Sequence, residues 1–271
     1  YKVFFDNGSV IRLSPNHPLF TISREIKLVS KPLYSLESGD YVAFAVPKGK
    51  TFIRTLKLFN LLKAYSIKKH PLYLKSAKIR RVIKDNKYKL LQIARNYGYK
   101  ITSLNGWIRS SILPLHLVAS LDIKGSMLEE GEIISWKGNA LPSTVELTGE
   151  LCWLFGIYLS EGCLLGDYCV DISNRDYSIR DRIVRIAKRY GFGCSKCKDS
   201  IRVYSILFNR LIRALQLGGK AREKQISPLF YQLSKHNMTM LLNGIYDGDG
   251  YVKGNTLEVE VYSRLLRDNI A

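Results

Sequence analysis

The chain has 271 residues, 46% of them hydrophobic and 24% charged, which is enough apolar material for sizeable cores. No apolar run approaches the roughly 20 residues that a membrane helix needs, so a bilayer-spanning protein is not expected. Lys and Arg number 42 against 23 Asp and Glu, leaving a net charge of +19 and a pI near 9.7, far beyond what solubility asks for; an anionic polymer is the expected partner.

Residues 1–50 read as all-β. Tyr1 to Phe5 alternates, Asp6-Asn7-Gly8 turns, and Val10 to Leu13 returns as the second arm of a hairpin. Ser14-Pro15-Asn16-His17-Pro18 leads into a strand from Leu19 to Ile22, and Leu36-Glu37-Ser38-Gly39-Asp40 is a turn before a strand at Tyr41 to Val46. From Thr51 the apolar spacing becomes helical, and helices are expected to about Leu121. This segment is the basic one: Arg54 to Lys100 holds 14 Lys and Arg and one acid, Asp85. Such density repels itself unless phosphates or other anions condense on it.

Within that segment, Leu90 to Arg109 places Ala94 and Gly98 four apart, with Ile93, Leu104 and Trp107 around them. The spacing is that of a helix-turn-helix: the alanine lets two helices cross, Gly98 turns, and the second helix offers Thr102, Ser103, Asn105 and Arg109, with Lys100 at its approach, to bases or phosphates. A Gly-rich stretch, 125–145, reads as a linker with one short strand at Ile133 to Trp136. Five cysteines fall between Cys152 and Cys197, too local for a secreted disulfide scaffold, so a reducing, intracellular setting is expected. Cys194-Ser195-Lys196-Cys197 lacks the second pair that a zinc knuckle needs.

Two later segments repeat each other. Leu154-Phe155-Gly156-Ile157-Tyr158-Leu159-Ser160-Glu161-Gly162 aligns with Leu242-Asn243-Gly244-Ile245-Tyr246-Asp247-Gly248-Asp249-Gly250, matching Leu, Gly, Ile-Tyr, a small residue, an acid and Gly column by column. Small residues four apart put one close-approach face on each helix, so the two helices can pack on each other. Glu161 and Asp249 fall at helix C-termini, where a carboxylate is disfavoured, each followed by a glycine suited to a left-handed cap. If the helices meet side by side, the carboxylates converge, and a hard divalent cation is the natural counter-charge.

These nine-residue repeats resemble the motif of the LAGLIDADG homing endonucleases in their two-repeat, single-chain form. The second copy is the closer match; the first has Glu161 for Asp and Leu159 for the earlier Asp. The resemblance implies α+β architecture, with αββαββα repeats whose antiparallel sheets form a saddle over double-stranded DNA. It implies Mg²⁺ held by Glu161 and Asp249, which would direct water at the scissile phosphates. The alternating strands near Tyr168 to Ser173 and Ser200 to Ser205, and the helices at Arg180 to Tyr190 and Phe208 to Leu217, suit such a repeat. Arg175, Lys196, Lys198 and Arg202 are candidates for groove or phosphate contacts. The block Lys220 to Pro228 resembles the one that precedes the second motif in intein endonucleases, which places a catalytic lysine at Lys224, with Lys220 as the rival.

The Ser14-to-Phe20 segment, with the downstream Gly39-Asp40, resembles an intein splicing block of the Hint type, in which His17, with Ser14 in the usual Thr place, would assist the amino-terminal acyl shift. The expected organisation is a partial splicing domain over 1–50, a basic DNA-recognition insert over 51–124, the linker, and over 146–271 an endonuclease domain with its second repeat cut short. An interior fragment lacking both splice junctions is expected, monomeric, partnered by double-stranded DNA and by host-protein exteins in the full element. Two alternatives stay open: a non-cleaving DNA-binding protein of the same architecture, and a splicing element with a decayed nuclease.

Overall fold

The computed structural model describes residues 1–5, 10–23, 27–43, 52–67, 70–121, 123, 128–254 and 256–270. It is an α+β chain of small antiparallel sheets and short to medium helices. Among the described residues no helix is long and apolar enough to cross a membrane. Two compact units emerge, Tyr1–Thr51 with Arg267–Ala271, and Phe52–Leu266.

In the first unit, Lys2–Phe4 pairs with Val10–Arg12 as the alternation requires, and Pro18–Ile22 pairs with Leu28–Pro32. The expected Asp6-Asn7-Gly8 turn lies outside the described residues, as do residues 44–46 of the expected strand after Asp40. What is described of that strand docks by a bridge from Val42 to Thr21, and the buried Thr21 hydroxyl donates to the Tyr41 carbonyl at 2.6 Å. Gly39 takes φ +103°, which suits the expected turn.

The second unit departs from the expected run of helices. Leu72–Lys75 and Ile112–Pro114 are strands, and they join Glu132–Ser135 and Ala140–Pro142 in one four-stranded sheet. Thr55–Lys57 pairs with Thr144–Glu146. The stretch expected as a linker thus supplies three strands, because Ile133, Leu141 and Val145 bury their alternate side chains. Helices Ile79–Asp85, Lys87–Asn96 and Ser103–Ser110 pack beside this sheet. The buried His116 is held there by Ser66 Oγ at Nδ1 and Tyr99 OH at Nε2, both at 3.1 Å.

Next in the chain stands helix Gly149–Glu161, capped by Thr148 Oγ1, which accepts from Leu151 N at 3.2 Å, a bond of the kind that stabilises a helix by about 1 kcal/mol. Strands Gly162–Leu165, Cys169–Ser173, Ser200–Tyr204 and Gly193–Lys196 form a four-stranded antiparallel sheet in that spatial order. Helices Tyr177–Arg189 and Ile206–Ala214 belong to the same body, capped by Asp176 and Ser205. Trp153, Phe155 and Tyr158 are fully enclosed, with Phe155 against Phe208 and Phe230 at 6.3 and 5.4 Å. Helix Lys235–Asp249 then lies along Gly149–Glu161 and runs into the hairpin of Gly250–Lys253 with Thr256–Val259.

Candidate catalytic site

The two repeated helices touch through their glycines. A methyl group added to Gly244 would sit 2.9 Å from Gly156 Cα and 2.7 Å from Ile157 N, and one added to Gly156 would meet the Leu241 carbonyl. Near the other ends, Gly149 faces His236 and Met240, while Gly248 faces Ser160 and the Glu161 side chain. The helices therefore run in the same direction in matched register, and Glu161 and Asp249 end side by side. Only residues without a Cβ allow this approach.

The helix ends are not those expected. Gly162 has φ −88° and ψ 153°, and Gly250 φ −86° and ψ 148°, so both are extended rather than left-handed. Each closes the last helical bond, to the Tyr158 and Tyr246 carbonyls, and passes straight into a strand. Glycine is needed there for room: a Cβ on Gly162 would strike the Tyr158 ring, and one on Gly250 would lie 2.9 Å from Tyr246 Cα.

Burial, and then the Asp249 charge, push the Glu161 carboxyl up to about 7. The Asp249 carboxyl is raised by burial and by Glu260, a neighbour that no motif in the sequence announced. Lys224 is almost fully buried. Its ammonium donates to the Tyr158 carbonyl at 2.7 Å and stands 3.3 Å over the Tyr158 ring. Burial pulls this amine down to about 7, against the opposing pull of Cys163, Glu223 and Asp249. Lys224, Asp249, Glu260 and Ser160 share a cavity of about 150 Å³. Lys220 lies on the exposed turn before it, where its backbone N–H donates to Glu223 at 3.2 Å. Of the two lysines, Lys224 is the one beside Asp249.

Two part-buried carboxylates, both raised above their ordinary range, are an anionic pair that an added cation stabilises, and their oxygen donors suit Mg²⁺. Among the described residues no cluster of three or more His, Cys, Asp and Glu side chains forms a closed cage, Cys194 and Cys197 included. An ion held here would complete its shell with water and phosphate, as Mg²⁺ commonly does.

Asp247, which stands where the first copy has the buried Leu159, has a separate occupation. It accepts from Trp153 Nε1 at 2.6 Å and lies 3.7 Å from Arg182, whose guanidinium sits 3.9 Å over the Trp153 ring. This carboxylate ties the second repeated helix to the first and to Tyr177–Arg189. The lack of an acid at Leu159 therefore leaves the paired Glu161 and Asp249 as they are.

The expected nucleic-acid contacts divide by register. In the four-stranded sheet, Val170, Ile172, Ile201 and Val203 face the helices. Cys163, Asp171, Arg202 and Ser195 cross the opposite, open face in one row, with Arg202 3.4 Å from Asp171. Lys196 points the other way from Arg202, to Asp181 of the flanking helix at 2.6 Å. Arg175, 3.2 Å from Asp199, and Lys198 lie on the loops at one end of the sheet. Arg180 holds that end by donating to the Lys198 and Cys197 carbonyls. Exposed pairs of this kind are weak and screened by solvent, so a phosphate can compete for their cations.

In the basic region, Ala94 of helix Lys87–Asn96 and Leu104 and Trp107 of helix Ser103–Ser110 are buried, and Gly98 takes φ +70° at the turn. Lys100, Thr102, Asn105 and Arg109 are exposed and Ser103 half-buried. Arg80 donates to the Ile108 and Arg109 carbonyls at the end of the second helix. Part of the local charge is answered from outside the segment: Lys57, Lys75 and Lys78 pair with Glu129, Glu132 and Glu130. Ser14 and His17 lie on an exposed turn closed by a 3.1 Å bond from His17 N to the Ser14 carbonyl.

No protein-family profile matches the chain. Over 144 residues it is 28% identical to the DNA-directed RNA polymerase subunit Rpo1C of Methanocaldococcus jannaschii. That match takes in 49% of this chain and only 16% of the polymerase subunit.

Proposed function

We propose that the chain is the endonuclease-bearing part of an intein: a LAGLIDADG-type enzyme that hydrolyses phosphodiesters in double-stranded DNA with Mg²⁺. The observation that carries this is the side-by-side termination of two glycine-packed helices in Glu161 and Asp249, next to the buried Lys224. Glu161 and Asp249 would hold the ion, which when bound acidifies a water and neutralises phosphate charge. Lys224 stands on the Asp249 side of the pair, where its cation can stabilise charge growing on a phosphate oxygen. The open sheet face with Arg202, and the loops with Arg175 and Lys198, would line the DNA, and the helix pair with Lys100, Thr102, Ser103, Asn105 and Arg109 would add a second grip.

Ser14 and His17 would belong to the splicing portion. The partial match to a DNA-directed RNA polymerase subunit supports a nucleic-acid setting for the chain.

The test is cleavage of a plasmid bearing the uninterrupted insertion site. Linearisation that requires Mg²⁺ and disappears in Glu161→Gln and in Asp249→Asn is expected. Tight binding without any cleavage under these conditions would instead establish the non-cleaving alternative. Splicing is checked separately, by ligation of flanking sequences in the completed element and its loss in His17→Ala.

A further inference from the structure

A second pocket, of about 300 Å³, lies between the Ser135–Asn139 turn, the loop before Cys169 and helix Ile206–Ala214, and shares no residue with the cavity at Lys224. Its walls are aromatic and cationic. The half-exposed Trp136 indole stacks on the His70 imidazole, 5.7 Å between centroids and 23° between planes, and the half-exposed Tyr168 phenol stands on the other side. The Lys137 ammonium lies over both rings, 5.0 Å from the indole and 4.6 Å from the phenol centroid.

At the base is Arg210, only 8% exposed. Its guanidinium reaches Asp167 at 3.6 Å, yet its buried Nε has no hydrogen-bond partner among the described residues. The pocket therefore ends on a guanidinium whose ion pair with Asp167 is long, and whose charge an anion entering the pocket would meet.

We propose that this pocket binds one unpaired nucleotide of a nucleic acid. The base stacks against Trp136 and Tyr168 in the slot that the Lys137 ammonium fills, and the displaced ammonium and Arg210 meet the attached phosphate. Asp167 offers an acceptor to an exocyclic amino group. Flat π faces flanked by cations are how proteins hold unstacked bases, and the volume admits one base with little beyond it. The site is separate from the carboxylate pair, so the proposal stands whether or not the chain cleaves DNA.

The whole chain is titrated with a short duplex of fixed sequence, either fully paired or carrying one unpaired nucleotide, and tryptophan emission is followed. Of the three tryptophans, Trp107 and Trp153 are buried and Trp136 is half-exposed, so the part of the quenching that Trp136→Leu removes reports the pocket. The duplex with the unpaired nucleotide is expected to quench the emission and bind at least about fivefold more tightly. The preference should vanish when that nucleotide is abasic, and in Trp136→Leu. Equal affinity for paired and unpaired duplexes, or a preference that survives removal of the base, overturns the proposal; the abasic probe decides this without relying on any variant.

Discussion

Helix Gly149–Glu161 is enclosed along its length, every residue from Leu151 to Leu159 being buried, whereas helix Lys235–Asp249 buries only Leu241, Gly244 and Ile245. The first is the core of a repeat with a four-stranded sheet and two helices; the second leans on it and leads into a two-stranded hairpin. Their acids are half-buried alike but have different neighbours. Glu161 is raised by burial and by its opposite number, while Asp249 has Glu260 and Lys224 beside it. A shared motif therefore sets the approach of the helices, and the surroundings decide what each carboxylate experiences.

The largest expected effect breaks that approach. Gly244→Leu places side-chain atoms on the Trp153 carbonyl and Ile157 N, and should cost about 3 kcal/mol or more in urea unfolding, or prevent folding. Gly106→Ala, in helix Ser103–Ser110 with open space around it, should instead gain about 0.5–1 kcal/mol.

Lys224→Met sharpens the asymmetry. Burial already disfavours the charged form of this amine, so an apolar chain of similar length should leave the fold standing by circular dichroism. Cleavage should fall about 100-fold if the amine stabilises phosphate charge.

A smaller effect separates the two carboxylates by pH. The Glu161 pKa in the folded chain lies near 7 against an ordinary 4.5, so the folded form holds this proton more tightly than the unfolded one. The advantage is complete below about pH 4.5 and is lost as pH rises through about 7. Glu161→Gln should therefore stabilise the ion-free protein by about 1 kcal/mol near pH 8, with partial solvent contact reducing the full shift, and by little near pH 4. Thermal unfolding at the two pH values reads this directly.

The paired helices were legible because small residues at one-turn spacing leave a pattern that needs no partner to be seen. The use of Gly162 and Gly250 was not, since an acid followed by glycine looks the same whether the glycine turns left-handed or makes room for a tyrosine one turn back. Leu72–Lys75 and Ile112–Pro114 went unread as strands because each is short, sits among helices, and finds its partners far along the chain. The partners of three lysines of the basic segment went unread for a related reason: Glu129, Glu130 and Glu132 come from the supposed linker and answer them only once the sheet is formed. Glu260 follows a strand with no motif around it, and Arg210 and Trp136 meet only through the fold.

The convergence of Glu161 and Asp249 on one divalent ion is tested most directly by Mn²⁺ titration of the DNA-bound chain, followed by electron paramagnetic resonance. Bound Mn²⁺ in the parent chain, weakened at least about tenfold in both Glu161→Gln and Asp249→Asn, is the expected result. Undiminished binding in both variants would contradict the account.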